Sequence, residues 1–260
     1  MLPIALTIAG SDSGGGAGIQ ADLKSFHRHG VYGTSAITLV TAQNTLGVTR
    51  VDVLPAALVA AQIDAVATDL RPAATKTGAL GSAANVEAVA AAAARHDLRP
   101  LVVDPVMIAK SGDPLLADDA IDALRRLLLP RATLATPNLP EAAALLGGAE
   151  LASAADIEAA ARAIAALGPK AVLIKGGHGE GPEAADLLLA DGACTWLRSP
   201  RVATRHTHGT GCTYAAAITA RLAHGDDLPT AVRTAKEWLA RAIATAPKLG
   251  GGHGPVNHWA

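Results

Sequence analysis

A chain of 260 residues, half of them apolar, can bury a substantial core and is too apolar to be disordered. Its 22 basic and 23 acidic residues are interspersed and give a formal charge of −1, which leaves no electrostatic footprint for nucleic acid or an anionic membrane. The two cysteines, Cys194 and Cys212, lie in unlike contexts without disulfide or metal-ligand spacing, which suits a reducing compartment and predicts a cytoplasmic protein.

The apolar stretch from Leu2 to Ala9 has no basic region before it and runs into Gly10-Ser11-Asp12-Ser13-Gly14-Gly15-Gly16, so it reads as a buried strand near 4–9 and not as a signal peptide. A helix follows near 17–29, then a strand near 34–41, a helix near 55–68, a short strand near 73–77, a helix near 82–95 and a strand near 101–104. The pattern continues with a helix near 116–128, a strand at 132–135, helices at 139–146 and 154–167, and a strand at 171–175. Two short strands near 185–190 and 193–197 meet at Asp191-Gly192, a hairpin turn, and helices near 211–223 and 229–246 follow. No window supplies the ~20 apolar residues of a membrane span, and Ala83 to Ala94, which carries Asn85 and Glu87, is better explained as a soluble helix. The alternation predicts an α/β/α fold: a mostly parallel sheet with an antiparallel edge, covered on both faces, in a single domain over 1–260 without internal repeats.

Chemistry concentrates at the predicted strand ends, where ligands bind in open α/β sheets. Thr207-His208-Gly209-Thr210-Gly211-Cys212-Thr213 places two glycines before an Ala-rich helix. The first N–H groups of a helix have no internal partner, and the helix dipole favours an anion there. Lys175-Gly176-Gly177-His178 follows the apolar run 171–174, Asp104-Pro105-Val106 follows Leu101-Val102-Val103, and Asn138-Leu139-Pro140-Glu141 follows Thr136-Pro137.

Each residue has a plain alternative. The loop from Gly10 to Gly18 has neither the Lys-Ser/Thr ending of a phosphate-binding loop nor dinucleotide spacing, so it turns the chain and exposes a ligand to backbone groups. Asp22 either faces that cleft or is a solvated helix-surface aspartate. Gln43-Asn44 either reads the donor and acceptor edge of a heterocycle or forms a turn with Thr45-Leu46-Gly47. Asp104 and Glu141 are placed to hold magnesium, directly or through water, while Glu141 alone would complement a helix dipole and Asn138 alone would cap a helix. Lys175 either neutralises a phosphoryl group or reaches solvent, and His178, His206 and His208 make no convincing metal set. Together these parts match phosphoryl transfer, where positioning and charge neutralisation supply most of the catalysis.

Over nearly its whole length the chain resembles the hydroxymethylpyrimidine and phosphomethylpyrimidine kinases of thiamine biosynthesis, in the ribokinase-like superfamily. The resemblance runs through Ile8 to Lys24, Thr41-Ala42-Gln43-Asn44-Thr45, Asp104 to Met107, Ala109-Lys110-Ser111-Gly112, Thr136 to Glu141, Lys175 to His178, Thr207 to Thr213 and Gly254-Pro255-Val256-Asn257-His258. It implies a ribokinase-like fold and ATP-dependent phosphorylation of 4-amino-5-hydroxymethyl-2-methylpyrimidine, then of its monophosphate, by a magnesium-dependent homodimer. Gly10, Asp22, Gln43, Ala79 and Val106 would then hold the pyrimidine. Asp104, Asn138, Glu141, Lys175, Thr207 and the segment Gly209-Thr210-Gly211 would hold nucleotide, phosphates and metal. Cys212 would stand where sugar kinases place an aspartate base, with Gly209, Gly211 and Lys175 completing the catalytic set; packing alone is the alternative for the thiol.

In one place the chain departs from the family pattern: Lys76-Thr77-Gly78-Ala79-Leu80 has Ala79 where pyrimidine kinases commonly have a methionine on the substrate ring. A larger ring pocket leaves a pyridoxal or pyridoxine kinase as an alternative, beside a non-catalytic pyrimidine-binding regulator. The polar segment Ala109-Lys110-Ser111-Gly112-Asp113 is expected to fold over the site when substrates bind.

Overall fold

Short runs of Val, Ile, Leu and Ala form the centre of the molecule because both faces of a parallel sheet are buried. In the computed structural model, which describes residues 2–108, 112, 115–148, 150–177 and 181–260, nine strands join one sheet. They are β1 (Ile4–Asp12), β2 (Tyr32–Gln43), β3 (Val48–Val53), β4 (Ala74–Thr77), β5 (Leu101–Val103), β6 (Leu134–Ala135), β7 (Ala171–Ile174), β8 (Glu183–Ala190) and β9 (Ala193–Pro200). Their order is β3-β2-β1-β4-β5-β6-β7-β8-β9. The six strands from β2 to β7 in that order are parallel, while β3 at one edge and β8-β9 at the other are antiparallel.

Strand alternation assigns the helices to layers. On one face Leu101, Val103, Val172 and Ile174 pack against α2 (Ala56–Asp69), α3 (Ala83–Arg95), α4 (Asp118–Ala123), α5 (Leu139–Leu145) and α6 (Ala154–Ala165). On the other, Val102 and Leu173 meet Tyr214, Ile218, Val232 and Leu239 from α7 (Thr210–Ala223) and α8 (Leu228–Ala244), and α1 (Gly18–Arg28) covers Ala5 through Phe26. Helix starts follow their capping residues: Ser82, Ser153 and Asp227 each accept an N–H from three residues on.

Three expectations need correction. Antiparallel strands lie at both edges, because Val48–Val53, which the sequence reading passed over, pairs with β2. Asn44 Oδ1 accepts the N–H groups of Leu46 and Gly47, at 2.8 and 3.3 Å, which makes Asn44 the turn residue of that hairpin and not a heterocycle reader. The helix expected near 116–128 is α4 followed by a widened π-type turn at Leu124–Leu128 and a tight turn at Leu129–Arg131, where Pro130 cannot continue an α-helix.

Candidate active site

The loops that leave the C-terminal ends of β1, β2, β4, β5, β6 and β7 surround one cavity of about 620 Å³, within the range of small-ligand sites. Gly10, Gln43, Ala79 and Val106 line it at the end next to β1, β2 and β4. Asp104, Asn138, Glu141 and Lys175 line its middle, with Thr207, Gly209, Thr210, Gly211 and Cys212 beside them; a Cβ on Gly211 would lie 3.2 Å from Lys175 Nζ. Beyond them it extends along Ala184, Arg201, Val202, Lys236 and Ile243. The expected lid, 109–113, lies outside the described residues except for Gly112, and so does His178.

Gly209 is the N-cap of α7 in the left-handed region, φ 75°, and a Cβ there would sit 1.8 Å from the Gly16 carbonyl oxygen, so only glycine fits. Thr207 closes the turn, its carbonyl accepting the N–H and hydroxyl of Thr210. Among the described residues, the N–H groups of Gly209, Gly211 and Cys212 donate to no protein acceptor, which leaves a cluster of donors at the positive end of a 14-residue helix. Protein packed around the Cys212 thiol pushes its pKa up to about 11; Lys76 opposes this, Asp22 and Asp104 add to it, and the Gly18 N–H favours the thiolate. Burial is the largest influence on this thiol and leaves it protonated at neutral pH.

Next to the start of α7, Asp104 is almost wholly buried; its Oδ1 accepts the Thr136 hydroxyl at 3.0 Å and Lys175 Nζ at 2.6 Å. Burial works against charge on Lys175, but Asp104 and Glu141 outweigh it and hold the lysine above its ordinary range. Glu141 Oε2 lies 3.9 Å from Lys175 Nζ and accepts the Asn138 N–H, while Asn138 Oδ1 accepts the Glu141 N–H. This reciprocal cap accounts for both residues as helix formers and also fixes the carboxylate at the cavity wall. Burial pushes Glu141 up to about 7, with Lys175 opposing and Asp104 adding to the rise. Asp104 Oδ2 is buried with no hydrogen-bond partner among the described residues, and because Asp104 lines the cavity, a ligand bound there can satisfy it. No group of three potential metal-ligating side chains occurs among the described residues, so the donor set is the pair Asp104 and Glu141. Two hard oxygens beside an anion site fit magnesium, which keeps several waters and shares phosphate oxygens.

Asp22 departs from both sequence readings: it is neither solvated nor facing the cavity. Its carboxylate is fully buried behind the wall, paired with Lys76 at 3.0 Å and accepting the Thr7 hydroxyl at 2.6 Å. Nor does the glycine loop offer its N–H groups to a ligand, since Asp12 takes those of Gly14, Gly16 and Ala17. Sequence reasoning set His208 aside as part of no metal set and passed over its partner Asp12, and also the buried pair Lys236 and Asp186, 2.6 Å apart, whose Asp186 Oδ1 holds the Gly176 N–H beside Lys175. The available signal was Asp186 beside the apolar run Leu187-Leu188-Leu189, since a charge inside a buried strand requires a partner.

The phosphomethylpyrimidine kinase family model matches residues 12–257. The chain belongs to that family. It is a kinase with the ribokinase-like architecture expected from its sequence. The hydroxymethylpyrimidine/phosphomethylpyrimidine kinase of Haemophilus influenzae is 52% identical over 259 residues, covering 98% of this chain and 96% of its own. The thiamine biosynthesis bifunctional protein ThiED of Geobacter sulfurreducens is 48% identical over 97% of this chain, which spans 51% of that protein. Among solved structures, a Bacillus subtilis pyridoxal kinase in complex with ADP superposes with a TM-score of 0.93 at 38% identity, covering 99% of this chain and 98% of its own. Among the described residues of this phosphomethylpyrimidine kinase family member, no helix is long and apolar enough to cross a membrane.

Proposed function

We propose that this kinase transfers the γ-phosphoryl group of ATP to the hydroxymethyl oxygen of 4-amino-5-hydroxymethyl-2-methylpyrimidine, and then to the phosphate so formed. The observation that carries the reading is the meeting of two charge-neutralising groups at one place in the cavity: the donor N–H groups opening α7, and Lys175 between Asp104 and Glu141, with a Cβ on Gly211 only 3.2 Å from Lys175 Nζ. The pyrimidine sits against Gly10, Gln43, Ala79 and Val106, and the Gln43 amide supplies a donor and an acceptor to its edge. The nucleotide runs along the wall of Ala184, Arg201 and Val202, so that its γ-phosphate lies between Lys175 and the N–H groups of Gly209, Gly211 and Cys212. Thr207 and Thr210 fix that turn, and Asn138 orients Glu141. Asp104 and Glu141 would hold magnesium, directly or through water, and a bound magnesium would supply further neutralisation of phosphate charge. Cys212 is protonated at rest; its own proton leaves first to solvent water through the open cavity, and the thiolate so formed then takes the substrate hydroxyl proton as the phosphoryl group is transferred.

The family resemblance supports a homodimer, and the exposed apolar side chains Val40, Leu46 and Val53 on the β2-β3 hairpin are consistent with a second copy covering them. Two unpaired cysteines support a cytoplasmic location.

The test is ADP release from ATP and magnesium with hydroxymethylpyrimidine, its monophosphate and pyridoxal offered separately, and Lys175→Ala as the blank. Turnover of both pyrimidines supports the reading. Turnover of pyridoxal alone overturns the substrate assignment, and light scattering reports the oligomeric state.

A further inference from the structure

His208 and Asp12, 196 residues apart in the chain, meet at 2.8 Å between Nε2 and Oδ2, both largely buried. The same carboxylate organises the whole first glycine loop. Its Oδ1 accepts the Gly14 N–H at 2.7 Å, and its Oδ2 accepts those of Gly16 and Ala17 at 3.0 and 2.9 Å. Burial alone would raise the Asp12 carboxyl, but His208 and these N–H groups outweigh it and hold it below the ordinary carboxylate range.

On the other side, His208 immediately precedes Gly209, the residue whose left-handed backbone opens the anion site. The two loops touch here without a side chain between them. A Cβ on Gly16 would lie 2.4 Å from His208 Cδ2, and one on Gly209 would lie 1.8 Å from the Gly16 oxygen. The His208 N–H donates to Gly254 at 3.0 Å, and Gln43 Nε2 lies 3.5 Å from the imidazole Nε2. One histidine therefore touches the glycine loop, the ring-reading amide and the backbone that starts the anion site. Gly18, at the end of the glycine loop, and Cys212 both line this cavity, and the Gly18 N–H favours the Cys212 thiolate.

We propose that Asp12 and His208 are positioning residues that fix the first glycine loop against the anion site, so that the substrate-holding end and the phosphate-holding end of the cavity stand at the separation that transfer requires. The proposal rests on the phosphoryl-transfer reading of this cavity. Neither residue exchanges a proton with substrate. Small errors in the placement of two reacting groups are costly because transfer needs near-contact alignment.

The test uses the full chain with His208→Ala, His208→Gln, Asp12→Asn and the double variant Asp12→Asn/His208→Ala. His208→Gln retains an amide donor able to reach the carboxylate. In His208→Ala, kcat with hydroxymethylpyrimidine should fall by about 100-fold while ADP affinity, read by calorimetry, changes by less than about threefold. His208→Gln should recover about tenfold, and the double variant should be no slower than the slower single one. A readout that needs no substrate is the pH profile of Cys212 alkylation by iodoacetamide, which should move upward in His208→Ala, as the Gly18 N–H withdraws, and return in His208→Gln. A lowered Tm with unchanged kcat, single losses that multiply in the double variant, or an unmoved alkylation profile would overturn the proposal. If the wild type fails to phosphorylate the pyrimidine, the functional reading fails, while the alkylation profile and ADP affinity still decide on the pair.

Discussion

Lys76 Nζ and Asp22 Oδ2 meet at 3.0 Å with neither side chain reaching solvent. Burial pushes the Asp22 carboxyl upward, and Lys76 and the Thr7 hydroxyl oppose it. Burial likewise disfavours charge on Lys76, yet Asp22, Cys212 and Asp104 outweigh it and hold the lysine above its ordinary range. A buried pair of this kind adds little net stability, but halving it leaves an uncompensated charge in a low-dielectric interior.

Lys76→Met should therefore cost about 3–5 kcal/mol, read by urea unfolding, and Lys76→Met/Asp22→Leu should restore most of the loss. The second substitution removes the orphan carboxylate and fills its volume with apolar atoms. A double variant as unstable as the single one would contradict this account.

Cys212 tests a different balance. With its thiol at about 11, the fraction ionised at neutral pH is small, and alkylation of the nucleotide-free protein should speed up about tenfold per pH unit between pH 8 and 10. A Cys194→Ser background isolates the signal, since these are the two free cysteines. If Cys212 accepts the substrate proton, Cys212→Ala should lose about 10²–10⁴-fold in kcat and little ADP affinity, because the backbone N–H groups of the anion site survive. Unchanged kcat would leave packing as its role.

Lys175, Asp104 and the Asn138 to Glu141 segment were legible at cavity-lining positions because each follows a short apolar run, and in a parallel sheet such runs end where ligands bind. Spacing alone could not supply the partners. Asp22 and Lys76 are 54 residues apart and Asp12 and His208 are 196 apart, so each pairing depends on how the sheet is ordered, which a helical or strand period does not encode. The β3 strand was hard to see because most of its residues are at least partly exposed, which weakens the apolar alternation that marks a half-buried strand. The π-type turn at Leu124–Leu128 lies inside a leucine-rich run that has the same apolar periodicity as an ordinary helix.

His258 is buried with Nε2 3.1 Å from the Thr213 hydroxyl, one residue beyond Cys212, and burial, helped by Lys24 and His208, lowers its pKa to about 4. Between about 4 and the ordinary 6.5 the unfolded chain takes up a proton that the folded protein refuses. This contribution is complete above 6.5 and is lost as the pH falls towards 4, amounting to about 3 kcal/mol. Glu141, raised to about 7, works in the opposite direction over an overlapping range, so the wild-type curve alone does not isolate the histidine. The difference between wild type and His258→Gln should grow as the pH is raised from 4.5 to 6.5 and be flat from 7 to 8, measured by chemical unfolding. A difference that does not depend on pH would show that His258 titrates in the folded protein as it does in the unfolded chain.

Ala79 lines the end of the cavity where the proposed pyrimidine ring would sit. Its side chain lines the wall with Gly10 and Val106, and its carbonyl is pinned by the Thr38 hydroxyl at 2.6 Å, so the backbone cannot simply retreat from a larger residue. A pyridoxal ring carries a phenolic hydroxyl and an aldehyde beside its hydroxymethyl group and needs more room than the aminopyrimidine. Ala79→Met places three more heavy atoms into that space. The ratio of kcat/KM for hydroxymethylpyrimidine over pyridoxal should then rise by about tenfold, mostly through loss of pyridoxal turnover, as expected when a hydrophobic pocket is narrowed by one flexible side chain. An unchanged ratio would mean that the ring is held away from this wall, with Gln43 and not the pocket width deciding which heterocycle is accepted.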